Sequence, residues 1–310
     1  MSRSGPSCET APSHVWLLIY CSTIHTMRIT LLGTGGPRPD SARQGPATLV
    51  EVAGLRLLFD AGRGVATQLA KADISLNELD AVFLTHHHFD HIGGLGDLLM
   101  AAWNNGRARP LNVYGPPGTR SIVETLFSQI YASDIRFRMS EAEQLHSPIE
   151  HPVETFRSYD IKTGVIESNE SFRLEVGAIE HGGLALGLDD EKWSAVGYRI
   201  EGDDRTVTIA GDAVAGRDLD RLALDTDALV VCAYLSGDEI VRDEDRFLSE
   251  HILAGAPQAA QIAIDVGAQR LIVTHIRQKS AESLEAMDRA IREVYDGGLV
   301  IGQDLLELEI

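Results

Sequence analysis

Apolar residues along the chain fall into short β-branched runs punctuated by glycine and proline, interleaved with segments of helical spacing. MRITLLG (27–33), ATLVEV (47–52) and LRLLFD (55–60) read as strands, with GVATQLAKA (64–72) as a helix behind them. DAVFLT (80–85) is a continuous apolar strand. It is followed by a helix over GGLGDLLMAAW (93–103), a strand over LNVYG (111–115) and a helix over TRSIVETLFSQI (119–130). Residues 131–170 are polar and weakly periodic, which predicts an irregular segment and a candidate lid. Strands resume with SFRLEVGAI (171–179), SAVGYRI (194–200), RTVTIAG (205–211) and DALVVCAYL (227–235). A helix over APQAAQIAIDVGA (256–268), the strand QRLIVT, an amphipathic helix near 280–295 and two short strands close the chain. No repeat or linker divides residues 27–310, so the pattern predicts one α/β domain of mixed sheets with outer helices.

Composition narrows the class. Of 310 residues, 44% are hydrophobic and 24% charged, the balance of a soluble globular protein. The formal net charge is −19 and no run of lysine or arginine offsets it, which argues against a nucleic-acid partner and for a small-molecule substrate. Cys8, Cys21 and Cys232 have neither metal-ligand spacing nor the look of a disulfide framework, so a reducing, cytoplasmic setting is expected. No apolar run is long enough to cross a membrane. VWLLIYC (15–21) is short for a leader, and Met27 opens the first strand cleanly. Residues 1–26 therefore read as an extension or a misplaced start; a secreted or periplasmic location follows only if they act as a leader. Oligomeric state stays open.

Four of the eleven histidines lie in LTHHHFDHIGG (84–94). His86 and His88 are two apart at the end of an extended strand, so they face one way and His87 faces the other. Asp90 and His91 precede a Gly-Gly turn that aims both inward. Imidazole and carboxylate suit zinc and similar divalent ions, so the stretch offers two pairs of metal ligands. A solvated histidine-rich loop is the plain alternative, and the buried apolar strand that delivers the cluster argues against it. His181, Asp212 and His275 also stand at the ends of apolar β runs, where each taken singly is as readily a satisfied structural residue.

His86-x-His88-x-Asp90-His91 resembles the HxHxDH signature of the metallo-β-lactamase fold hydrolases. The resemblance runs from Met27 to the C-terminus. GTGGP (33–37), FDAGRG (59–64), IEHGGL…SAVGYRI, TIAGDA and LIVTHI are similar, in order, to motifs of the ribonuclease Z and arylsulfatase-like branch. It implies a four-layer αββα sandwich and two divalent metals, zinc first, with manganese or iron as alternatives. It also implies their ligands: His86, His88 and His181 on one, Asp90, His91 and His275 on the other, and Asp212 bridging. A metal-bridging hydroxide would attack the substrate, with Asp90 orienting it or taking its proton. His251, at the start of a segment where such hydrolases carry a further histidine, would protonate the leaving group or position a ligand.

The substrate is less legible. The tRNA processors of that branch carry a long arm after the GYRI strand, whereas only EGDD separates Ile200 from Arg205 here. With the charge of −19, this favours a small ester as substrate: a sulfate, a phosphodiester, a carboxylic ester or a lactone. A ribonuclease Z-like phosphodiesterase acting on RNA is the alternative within enzymes, and a non-catalytic metal-binding sensor or scaffold the alternative outside them. Arg136, Arg138, Trp103, Asn104 and Arg107 are candidates for the substrate entrance, with ordinary surface and packing as the plainer expectation for each.

Overall fold

The computed structural model describes residues 26–169, 171–189 and 192–310. The VWLLIYC run and all of the expected extension except Thr26 lie outside the described residues.

The apolar runs become two seven-stranded sheets. The first takes β1 (Arg28–Gly33), β2 (Ala47–Val52), β3 (Leu55–Phe59), β4 (Ala81–Phe83), β5 (Leu111–Gly115) and β6 (Phe156–Asp160). The second takes β7 (Gly164–Ser168), β8 (Phe172–Ala178), β9 (Val196–Gly202), β10 (Arg205–Gly211), β11 (Ala228–Cys232), β12 (Arg270–Thr274) and β13 (Gly298–Ile301). The last strand, β14 (Leu306–Glu309), returns to pair with β1. Strands β3 to β6 run parallel to one another, as do β10 to β13. Parallel strands are covered on both faces, which is why AVF and ALVVC are apolar throughout rather than alternating.

Three separate apolar cores define four layers. One lies between the sheets and joins Leu31, Val50, Phe59 and Phe83 to Val176, Tyr198, Val207 and Ile272. A second packs helices such as Leu95–Asn104 on the outer face of the first sheet. A third packs helices Ala256–Asp265 and Ala281–Arg292 on the outer face of the second. This is the expected αββα sandwich. In the middle core the buried Tyr198 hydroxyl donates to the Leu84 carbonyl at 2.6 Å, tying the second sheet to the base of the histidine loop.

Residues 131–170 correct the expectation of irregular structure. They hold helices Ala132–Gln144 and Pro152–Thr155 and the strands β6 and β7, which close one sheet and begin the other. Their pattern is faint because the longer helix buries only Ile135 and Ala142, and β7 buries nothing fully. Helix Asp243–His251 escaped the pattern for the same reason, burying only Ser249. After GYRI the chain turns directly from β9 to β10 through Asp203 and Asp204, both with positive φ, as a two-residue hairpin requires.

Candidate metal centre

Each candidate ligand leaves the end of a strand. The histidine loop follows β4, His181 follows β8, Asp212 follows β10 and His275 follows β12. The two sheets thus deliver seven side chains to one rim of the sandwich. His275 has φ +52, and a Cβ at Gly36 would lie 3.0 Å from its ring. Glycine is needed there for the β1 turn to approach this closely.

The side chains gather in two groups, His86, His88, His181 and Asp212 in one and Asp90, His91 and His275 in the other. Within each group the ligand atoms lie within 4.8 Å of one another. Asp212 belongs to both by distance. Its Oδ2 is 3.9 Å from His86 Nε2, 3.8 Å from His181 Nε2, 3.4 Å from His91 Nε2 and 3.2 Å from His275 Nε2. Asp90 Oδ2 lies 3.1 Å from His275 Nε2. His87 turns away and meets the Thr119 hydroxyl at 2.8 Å, which anchors the loop from its other side.

Neighbours set the tautomers. His91 Nδ1–H donates to Asp60 Oδ2 at 2.8 Å, and His181 Nδ1–H donates to the Ile252 carbonyl at 2.5 Å. Thr85 Oγ1 contacts His86 Nδ1 at 3.0 Å and both Asp60 oxygens, so it accepts from the imidazole while donating to the carboxylate. All three rings present Nε2 inward, the nitrogen a metal would take. In the metal-free protein burial lowers His91, but Asp212 and Asp60 outweigh it and raise that imidazole well above its usual value. Asp60 and Thr85 were missed as site residues in the sequence. An aspartate ending the apolar run LRLLFD, like those ending later strands, was the available signal.

The electrostatics fit a cation. Asp60, Asp90 and Asp212 are buried, and among the described residues no lysine or arginine pairs with any of them. Buried carboxylates need positive charge nearby. Burial pushes Asp212 up, but the surrounding histidines hold it well below the usual carboxylate range. Burial pushes His86 far down and His88 to about 4, so both rings are neutral and free to ligate. Asp212 Oδ1, His91 Nε2 and His275 Nδ1 are buried without a hydrogen-bond partner. Divalent ions suit such a donor set, all nitrogen and oxygen with no thiolate. Cys232 is buried beside Ala213, where burial pushes its thiol up and its Sγ bonds backbone.

The remaining candidates separate from this centre. His251 is exposed at the end of helix Asp243–His251, next to the residue whose carbonyl holds His181. Arg107 is buried and donates to the carbonyls of Leu76, Leu79 and Arg109, a packing role. Trp103 donates to the Glu150 carbonyl, and Arg136 and Arg138 bond within their own helix. Tyr234 and Arg277, unforeseen, stand near the rim: the tyrosine ring is 5.8 Å from that of His275, with the guanidinium 5.7 Å above it.

Residues 55–276 match the family model described as the beta-lactamase superfamily domain. The ribonuclease Z of Mycolicibacterium gilvum is 33% identical, over 92% of this chain and 96% of that one. Two solved structures share the fold. The metallo-beta-lactamase fold protein YhfI of Bacillus subtilis has a TM-score of 0.67 and 19% identity, over 92% of this chain and 99% of that one. The short form of human tRNase Z has a TM-score of 0.65 and 23% identity, over 91% and 99%. No helix among the described residues is long and apolar enough to cross a membrane. The chain belongs to the β-lactamase superfamily, as a metal-dependent hydrolase of metallo-β-lactamase fold on the branch occupied by its ribonuclease Z relatives.

Proposed function

We propose that the chain is a dinuclear metal phosphodiesterase whose substrate is RNA, one metal to be held by His86, His88 and His181, the other by Asp90, His91 and His275, with Asp212 shared. The carrying observation is the position of Asp212 Oδ2, 3.2 to 3.9 Å from ring nitrogens of both groups. For the substrate class, the support is the near end-to-end match to relatives named ribonuclease Z. That match reverses the preference for a small ester. Because it spans 96% of the relative, the tight Gly202–Arg205 turn does not set this chain apart from it. The expectation against a nucleic-acid partner, drawn from the net charge and the short turn, loses the second ground and is opposed by these relatives.

Divalent ions held by these residues would supply Lewis acidity, lowering the pKa of water to about 7 and offsetting charge at the phosphoryl group. The protein's own part is proton handling and orientation. Burial raises Asp90, but the hydrogen bond from His275 and the charge of His91 outweigh it and hold the carboxyl below its ordinary value. Asp90 is therefore a carboxylate at neutral pH, able to orient the attacking water and take its proton. His251, exposed beside the His181 anchor, is the candidate donor to the leaving oxygen. His251→Ala should then slow substrates with poor leaving groups more than those with good ones; an equal effect on both would assign it to positioning His181.

A small ester remains the second reading, favoured by the net charge of −19. Protein loaded with zinc or manganese, and the same protein with chelator, should be offered a precursor RNA with a 3′ trailer and a panel of sulfate, carboxylic and lactone esters. Chelator-sensitive cleavage of the RNA is the expected result. Turnover of the panel alone would establish the second reading, and metal loading without any turnover would point to a sensor.

A further inference from the structure

Trp193 belongs to neither ligand group, yet its ring centroid is 4.5 Å from that of His88, 5.6 Å from His181 and 5.7 Å from His86. Its Nε1–H donates to the His181 carbonyl at 2.8 Å, and a Cβ added at Gly183 would lie 3.6 Å from its Cδ1. The His181 carbonyl thus fixes the indole beside the centre while leaving the ring half-buried rather than enclosed. His88, the ring Trp193 approaches most closely, is exposed and is followed directly by Phe89, 62% exposed within the same motif. A ring serving only to pack would be buried. A ring serving only the surface would not be held against three imidazoles.

We infer that Trp193 and Phe89 form a stacking platform for a nucleobase next to the scissile bond, so that the site selects base-bearing nucleotides over phosphodiesters without a base. This rests on the phosphodiesterase reading. Its physical logic follows from the charge. A chain of net −19 gains little from a phosphate backbone, whereas stacking on a π-face draws affinity from a neutral group and tolerates any base. Unpaired nucleotides expose that face, and duplex ones do not. Both residues are substrate-specificity residues; Trp193 also positions His181 through its N–H.

The test compares metal-loaded wild type, Phe89→Ala, Trp193→Leu and Trp193→Phe on a short oligoribonucleotide and on its counterpart with abasic riboses flanking the scissile bond. Wild type should prefer the base-bearing substrate by about tenfold or more in kcat/KM, the scale of one base–aromatic stack. Phe89→Ala and Trp193→Leu should bring that ratio toward one, and Trp193→Phe should keep most of it because the ring remains. Adenosine 5′-monophosphate should quench indole emission, ribose 5-phosphate should not, and Trp193→Phe should lose the quenching. A ratio unchanged in both Phe89→Ala and Trp193→Leu, with the two substrates slowed equally, would overturn the platform and leave Trp193 as a support for His181. Failure of wild type to cleave either oligonucleotide would sink the phosphodiesterase reading instead, and the quenching arm would then decide the platform alone.

Discussion

His87 and His88 are adjacent and chemically identical, so exchanging each for alanine separates direction from composition. His88 Nδ1 lies 3.0 Å from His86 Nε2 and 3.2 Å from His181 Nε2, whereas His87 reaches Thr119. His88→Ala should lower bound metal and abolish hydrolysis; His87→Ala should leave metal content near wild type. Metal analysis of the purified variants decides, and equal loss in both would refute the facing argument. Asp60 gives a finer test. Asparagine tolerates its φ of +60, but an amide N–H facing His91 Nδ1 would push that ring's proton to Nε2, the inward nitrogen. Asp60→Asn should weaken metal binding about 10- to 100-fold, read by titration against a chelating indicator. These two residues also mark what one stretch of sequence reveals. The i, i+2 spacing of His86 and His88 was legible because extended backbone fixes direction locally. Asp60, which orients the candidate ligands His86 (through Thr85) and His91, acts from 26 and 31 residues away, across contacts that only the folded sheet creates.

Elements with a buried face were legible, and those without one were not. β4 and β11 announce themselves by unbroken burial and β12 by a buried middle, and β4 and β12 each end within a few residues of a candidate ligand. Helices Ala132–Gln144 and Asp243–His251 lie at the periphery, so selection for an apolar stripe left no trace in them. The loop after β12 shows how polar contacts hold a site element in place without such a stripe. Glu239 binds Lys279 and Arg277 and accepts from Ser236 N and Oγ at 2.9 and 2.8 Å. Burial raises the Glu239 carboxyl, but Lys279, Ser236 and Arg277 together bring it down to about 2 from 4.5. A depressed folded value means that the carboxylate stabilises the fold fully above the unfolded value, and that this is lost as pH falls toward the folded one. In metal-depleted protein, wild type should therefore be more stable than Glu239→Gln at pH 7. The gap should narrow between about pH 4.5 and 2. Urea midpoints of both proteins at several pH values test this, and a gap that is constant with pH would assign the residue's role to shape alone.

At the scale of the molecule, a net charge of −19 weighs against polyanions only through the field a ligand meets, and that field is local. Around the metal centre, the described cationic side chains close to the rim are few. Arg277 stands over Tyr234 but is paired with Glu239, and Arg38 is exposed on the β1 turn. The rest of the surface carries the acidic excess. Single-stranded nucleic acid loses about 0.7 log units of affinity per log unit of salt for each phosphate a protein neutralises. One or two contacts at such a rim predict a slope of only about −0.7 to −1.4 for oligoribonucleotide binding. Divalent ions at the candidate centre would add attraction at the scissile phosphate, but as ions held by the protein they would not be exchanged for salt. Measured KM for a short RNA should therefore rise only a few-fold between about 50 and 200 mM salt, in contrast to the thousand-fold loss expected of a protein with six or more phosphate contacts. A steep dependence would require a basic tract that the described surface does not present, and would shift recognition from the centre and its aromatic rim to residues far from it. A shallow one would leave the metal centre and the rings beside it as the main source of affinity.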